Sequence, residues 1–266
     1  MSDDLKARIT SSIEAMGVPM VGFAPVERWE GSPFSLGMPS EFYPQNVIPG
    51  TRTVIVIGLP VSLPILETTP SIYYHELYKT INGLLDQFAY RAAILLGEEG
   101  ISAVGITRDG YASLEVLRER PIAAFSHRHA AYFAGLGTFG VNNTLLTARY
   151  GPRVRFASIL TNAVIEPDPV MEGSLCTRCM RCVKHCPAKA IQAGDYPGHI
   201  IDKGRCTEQS SSLAKRGISP CGICIKVCPI GEDRVLHGRT DMRIYEGSGP
   251  MEDSWNHVRS YGSKRS

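Results

Sequence analysis

A mixed α/β domain followed by a small cysteine-rich module is the architecture this sequence predicts, and three observations predict it. All eight cysteines of the 266-residue chain fall between positions 176 and 228. The part before them alternates helical and strand periodicity, the signature of a layered helix-and-sheet core. A proline-rich break, Glu166-Pro167-Asp168-Pro169, separates the two. The expected units are an α/β domain over 1–166, the cysteine module over 167–235 and a polar, glycine-rich extension over 236–266.

Each element follows from local pattern. Leu5, Ile9, Ile13 and Met16 recur at helical spacing, so Leu5 to Ala15 reads as an amphipathic helix. Val18 to Ala24 and Thr53 to Gly58 are short runs rich in β-branched residues and read as buried strands. Ile72 to Leu96 contains no proline and places Leu77, Ile81, Leu84, Leu85, Phe88 and Ala92 on one face. It reads as a long helix ended by Gly97 and Gly100. Ile101 to Ile106 is a further strand, Ala123 to Ala134 a helix stopped by Gly135, and Val154 to Thr161 a last strand.

Composition narrows the function. A formal net charge of +2 gives no global attraction to nucleic acid or to an anionic membrane. The longest apolar run, Val54 to Leu66, is broken by Pro60 and Pro64 and is too short to span a bilayer. The acidic start, Met1-Ser2-Asp3-Asp4, lacks the basic-then-apolar order of a signal peptide, so a cytoplasmic location is expected. A disulfide framework would not leave the first 175 residues without a cysteine.

The cysteines carry the chemistry. Cys176, Cys179, Cys182 and Cys186-Pro187 form the C-x2-C-x2-C-x3-C-P run of bacterial ferredoxins. Three of its thiolates wrap one cubane and the fourth turns to a second. Cys221, Cys224 and Cys228-Pro229 repeat the motif without its first member, which Cys206 can supply. Cys176, Cys179, Cys182 and Cys228 then hold one [4Fe–4S] cluster, and Cys186, Cys206, Cys221 and Cys224 the other. Two four-cysteine zinc sites are the competing reading, but zinc knuckles need neither a third cysteine in phase nor a trailing Cys-Pro. The basic residues Arg178, Arg181, Lys184, His185 and Lys189 tune the first cluster, dock an acidic electron donor or are simply a solvated face.

Gly135, Gly137 and Gly140 satisfy a dinucleotide-type glycine pattern in the wrong context. A helix precedes them, and no acidic residue follows about twenty positions on. They are expected to let backbone pass close to a flat cofactor or to another element.

The run Ala134 to Leu146, the segment Tyr150-Gly151-Pro152-Arg153 and the strand ending Ile159-Leu160-Thr161 together resemble the epoxyqueuosine reductases and their shorter relatives. So do Met20-Val21-Gly22-Phe23-Ala24, Tyr74-His75 and the order of the two cysteine runs. The resemblance implies a nitroreductase-like mixed-sheet domain that binds cobalamin and is packed on a two-cluster module. It implies electrons passing from an external low-potential donor, of ferredoxin or flavodoxin type, through the clusters to cobalt. Tyr74, His75, Gly135, Gly137, Gly140, Asn142, Asn143 and Thr144 would meet the cofactor. Two departures bear on the substrate. Family members acting on tRNA extend into a helical-repeat domain, whereas residues 229–266 are all that follow Cys228 here. They also carry an acidic proton donor where this chain has Arg120-Pro121-Ile122, with Glu119 and Asp109 further back. The shorter relatives have a His-Lys or His-Arg pair there, matching His127-Arg128, so His127 is the candidate proton donor, against the plainer reading of a helix-start histidine bonded to backbone or solvent. Transfer RNA is therefore not expected as a substrate. The two functions expected are cobalamin-linked reduction of a small molecule and electron delivery to a separate corrinoid protein, with a flavin in the α/β domain as a weaker third reading.

Overall fold

In the computed structural model, the described residues are 2–34, 37–108, 113–120, 122–246 and 255–259. Asp109 and Pro121 lie outside them. After a first helix, Ser2–Ala15, the chain forms strands β1 (Met20–Pro25), β2 (Thr53–Pro60) and β3 (Ala103–Ile106). A small hairpin of β4 (Thr138–Phe139) and β5 (Leu145–Leu146) follows, and then β6 (Val154–Thr161). The main sheet has the order β1-β2-β6-β3.

Side-chain alternation explains the layers. Along β2, Ile55, Ile57 and Leu59 enter one core while Val54 and Val56 enter the other. Along β6, Ala157 and Ile159 face the first core, and Phe156 and Leu160 the second. A strand buried on both faces reads as a continuous apolar run, which is why Thr53 to Gly58 is so uniformly hydrophobic. The first helix and the long helix, Ile72–Glu98, cover one face. Trp29, Phe34 and the helix His127–Phe133 cover the other.

The expected mixed sheet is antiparallel at each of its three pairings. The mixed element survives in the crossover. β2 and β3, joined through the long helix, run the same way, and β6 slots between them in the opposite direction.

The helix boundaries follow their caps. Ser71 Oγ accepts from the Tyr74 N–H at 3.1 Å and starts the long helix. That helix runs through Gly97 to Glu98, and Gly100, with φ +75°, makes the turn. Leu84, predicted on its apolar face, is 38% exposed, since the buried stripe runs through Ile81, Leu85, Ala89 and Ala92. The helix expected over Ala123 to Ala134 begins only at His127, because Ser126 is extended and spends its hydroxyl on His129.

The proline-rich segment does not hang free. Asp168 accepts from the Phe23 N–H at 2.9 Å through its carboxylate, and its own N–H donates to the Phe23 carbonyl at 3.0 Å. Lys6 pairs with the same carboxylate at 2.6 Å. The break therefore extends the edge of β1 before the chain enters the cysteine region. Among the described residues no helix is long and apolar enough to cross a membrane.

Candidate electron-transfer site

The two cysteine runs fold alike. Met180 and Gly222, both left-handed, each precede a single helical turn, Arg181–Lys184 and Ile223–Lys226. Cys179 and Cys182 flank the first of these junctions, and Cys221 and Cys224 flank the second. Gly222 is required in the second run: a Cβ there would sit 2.6 Å from the Tyr74 ring.

All eight cysteines are free thiols. Four of them, Cys176, Cys179, Cys182 and Cys228, line one small hollow together with Gly140. The other four, Cys186, Cys206, Cys221 and Cys224, lie along the wall of a separate cavity of about 500 Å³. Each of the two sets thus draws cysteines from both motif runs. Among the described residues no three His, Cys, Asp or Glu side chains converge as tightly as a single ion requires. Burial, then neighbouring thiols, push Cys182 up to about 11, and burial likewise lifts Cys221 and Cys228 to about 11. Clustered buried thiols of this kind need a cationic metal centre to ionise.

The first hollow is backed by a buried ionic clamp. Arg153, with 0% exposure, makes a bidentate pair with Asp233, both contacts 2.7 Å. It also donates to the Ile230 carbonyl at 2.6 Å and to the Cys228 carbonyl at 3.4 Å. Arg234, 2% exposed, donates to the same Cys228 carbonyl at 2.7 Å and to the Tyr245 hydroxyl at 3.1 Å. The start of β6 is thus bolted to the second cysteine run. Gly151 permits the approach, since a Cβ there would lie 1.9 Å from the Ile230 carbonyl oxygen. Sequence reasoning noticed Tyr150 to Arg153 without a role for it, and the partner eighty residues away left no local signal.

The basic residues near this hollow are mostly engaged. Arg178 pairs with Asp195 at 3.0 Å, and Glu246 holds Arg181 at 2.8 Å and Lys184 at 3.6 Å.

The large cavity gathers some of the predicted cofactor residues and releases others. Tyr74, Asn142, Asn143 and Thr144 line it. Asn142 Oδ1 accepts from the Thr144 hydroxyl at 2.8 Å, and the Asn142 amide reaches the Cys224 carbonyl at 3.5 Å. Asn143, at φ 55°, uses its side chain to accept from the Ile201 N–H at 2.8 Å. Tyr74, 2% exposed, packs between Tyr78 and the Cys221–Cys224 turn. His75 turns away, with Nδ1 2.5 Å from the Ser219 carbonyl oxygen, and serves the seam between the long helix and the second cysteine run.

Gly135, Gly137 and Gly140 do not line the large cavity. Added Cβ atoms would meet the Pro169 carbonyl oxygen at 2.1 Å from Gly135 and the Leu146 carbonyl oxygen at 2.0 Å from Gly137. Of the two roles expected for these glycines, the close approach to another element is the one seen at Gly135 and Gly137. Gly140 instead faces the first thiol hollow.

His127 borders the cavity, but both ring nitrogens are engaged. Nε2–H donates to the Thr107 carbonyl at 3.0 Å, which leaves Nδ1 to accept from the Ser158 hydroxyl at 2.9 Å. Burial pushes its pKa down to about 4, against the hydrogen bond to Thr107. A neutral, doubly bonded imidazole positions the wall better than it delivers a proton. A second histidine, His129, is fully buried between Ser126 Oγ and Tyr196 Oη, each 2.6 Å away. Burial holds it well below the ordinary histidine range. Arg128 lines the same cavity as His127, and so do Arg155 and Lys203, which no motif in the sequence marked. Glu119, one alternative acid, lies on the exposed end of a short helix, Leu114–Glu119, outside the cavity lining.

Known proteins share these features. The 4Fe-4S binding domain family matches residues 170–192, so the chain is an iron–sulfur protein. Tetrachloroethene reductive dehalogenase of Dehalobacter restrictus is 27% identical over 66% of this chain and 32% of its own length. Epoxyqueuosine reductase of Lactococcus garvieae is 34% identical over 41% of this chain and 33% of its own. The chain thus spans about a third of the length of these curated relatives. Among solved structures, a catabolic reductive dehalogenase superposes with a TM-score of 0.69 at 18% identity, covering 98% of this chain and 36% of the other. Epoxyqueuosine reductase from Streptococcus thermophilus superposes with a TM-score of 0.57 at 19% identity, covering 85% of this chain and 66% of the other. These structures share the fold.

Proposed function

From the premise that this chain belongs to the epoxyqueuosine reductase-like family, we propose that it relays single electrons through two [4Fe–4S] clusters to a cobalamin for reduction of a small molecule. The observation that carries this reading is the shared wall: Cys186, Cys206, Cys221 and Cys224 border the same 500 Å³ cavity as Tyr74 and Asn142 to Thr144. An apolar cavity of this size fits a flat macrocycle in part, and the thiol wall brings a redox centre against it. Bound cobalamin would supply low-potential cobalt chemistry there, and bound clusters one-electron steps.

The protein's own residues do the rest. Cys179 and Cys206 are both exposed; with Cys206 on the wall of the cavity, the separate hollow at Cys179 is where an external ferredoxin- or flavodoxin-type donor would deliver electrons. Tyr74 and the Asn142–Thr144 turn shape the cavity beside the second thiol set, and the apolar side chains Phe42, Phe125, Val154 and Phe156 exclude water from it. Among the described lining residues there is no Asp or Glu, which supports a substrate other than epoxyqueuosine in tRNA.

The test is anaerobic reconstitution followed by metal analysis and titration with cob(II)alamin. About eight iron and about eight sulfide per chain are expected. The electron paramagnetic resonance signal of cob(II)alamin should change on binding. An unchanged spectrum in excess protein rejects the corrinoid and favours a flavin or no further cofactor.

A further inference from the structure

Two arginines meet at the carbonyl oxygen of Cys228, and their charges are answered differently. Arg153 donates to that oxygen at 3.4 Å, and its charge is met by the bidentate pair with Asp233. Arg234 donates to the same oxygen at 2.7 Å, to the carbonyls of Lys226 and Arg239, and to the Tyr245 hydroxyl. None of these partners is a carboxylate. The Arg234 side chain is buried, so water does not answer its charge either. A cation held in this way is costly unless an anion lies close by. The hollow at Cys176, Cys179, Cys182 and Cys228 offers one, because four thiolates around an iron–sulfur cubane carry net negative charge.

The guanidinium is held in place from the C-terminal side. Its Nη1–H donates to Tyr245 Oη at 3.1 Å, and the Tyr245 hydroxyl donates onward to Glu67 Oε1. Arg239 donates to the same Glu67 oxygen at 2.8 Å. A carboxylate only accepts, which turns the phenol proton toward Glu67 and leaves a Tyr245 lone pair for Arg234. Glu67, Tyr245 and Arg234 are all buried, so the chain runs out of water from the α/β domain to the Cys228 run. Burial, then the bond to Glu67, push the Tyr245 pKa up to about 12, so the phenol keeps its proton at neutral pH.

We infer that Arg234 is the counter-charge of the iron–sulfur centre held at Cys228 and raises its reduction potential, with Tyr245 and Glu67 as the residues that position it. One-electron reduction adds a negative charge to that centre, and a buried guanidinium beside a ligand stabilises the added charge. The inference rests on the two-cluster reading and deepens it, by naming what sets the potential at the hollow where the external donor delivers its electron. The competing account is that Arg234 only ties the Cys228 run to the C-terminal segment, which would change stability and leave the potential alone.

The experiment is an anaerobic potentiometric titration of the iron–sulfur holoprotein, read by cluster-resolved electron paramagnetic resonance. It compares wild type with Arg234→Gln, Arg234→Lys and Tyr245→Phe, and the signal that survives Cys206→Ser identifies the centre at Cys228. Arg234→Gln should shift the reduction equilibrium of that centre toward the oxidised form about tenfold or more, about 59 mV for one electron. The other centre should keep its potential. Arg234→Lys, which keeps the charge and loses the fork, should retain most of the wild-type value. Tyr245→Phe removes only the phenol oxygen and should shift the same centre in the same direction by less. It also keeps the test open if Arg234→Gln does not fold. No shift in Arg234→Gln, no shift in Tyr245→Phe where the former does not fold, or equal shifts in both centres overturn the inference and leave the two-cluster reading standing. If wild type assembles no centre at Cys228, the two-cluster reading fails and takes the inference with it.

Discussion

The two sets of four thiols have similar local folds and opposite surroundings. The set containing Cys228 backs onto a buried salt bridge between Arg153 and Asp233 and a second buried arginine, Arg234. The set containing Cys206 opens onto a cavity whose polar lining is cationic or neutral. The first is built to stay still, the second to face something that binds. One duplicated motif has thus been set into two environments, one backed by a buried ionic clamp and one open to a cavity.

The sharpest way to break this contrast is to remove one thiol from each set. Cys206→Ser should leave about four of about eight irons and abolish electron delivery to a cavity-bound cofactor. Cys228→Ser should also remove about half the iron, but by emptying the hollow at Cys176, Cys179 and Cys182. Metal analysis with cluster-resolved electron paramagnetic resonance separates the two. If Cys228→Ser instead empties the set around Cys221, the crossed ligation is wrong.

Next comes the clamp. Arg153→Met leaves Asp233 charged and buried, which should cost about 3–5 kcal/mol in denaturant unfolding. The double variant Arg153→Met with Asp233→Leu should recover most of that loss. Equal destabilisation in single and double variants would show that the carbonyl bonds to Ile230 and Cys228, rather than the ion pair, are what matters.

On the cavity side, the effect expected is a pH dependence. His127 has a folded pKa of about 4 against an ordinary value of 6.5. Between those values the unfolded chain binds the extra proton, so stability is full above pH 6.5 and falls as pH drops toward 4. The decline from this group is about 3 kcal/mol. His127→Gln should flatten that part of the profile relative to wild type. A midpoint unchanged by the substitution would mean that other groups carry the acid sensitivity.

The smallest effect is expected at Tyr196. Its hydroxyl is 2.6 Å from His129 Nε2, and Tyr196→Phe keeps the ring stacking on Phe34 while deleting that bond. A loss of about 1 kcal/mol is expected. A loss several times larger would show that His129 cannot stay neutral without its phenol partner.

Much of this was legible in the sequence for physical reasons. β6 begins and ends where its pattern does, because an eight-residue strand buried on both faces has few alternatives. Spacing groups Cys176, Cys179 and Cys182, which line one hollow together, whereas Cys228 and Cys206 reach their sets from a distance along the chain. Charge partners were not legible. Arg153 finds Asp233, and His129 finds Tyr196, across separations that no local periodicity records. Gly135 and Gly137 were expected to meet a flat cofactor or another element, and what lies against them is the Pro169 and Leu146 backbone. Only the start of the His127–Phe133 helix, expected at Ala123, was misplaced, because Ser126 gives its hydroxyl to a side chain instead of capping.

The seam at Tyr74 sets an order of assembly. Its ring lies against Gly222, between two ligand cysteines, and the neighbouring Thr69 hydroxyl donates to the Cys221 carbonyl at 2.6 Å. One wall of the cavity is therefore the outer surface of the Cys221–Cys224 turn, and a metal tying those thiols together would fix its shape. If the cavity takes a cobalamin, metal goes in first. On that order, protein stripped of iron should take up cobalamin weakly and regain affinity after reconstitution.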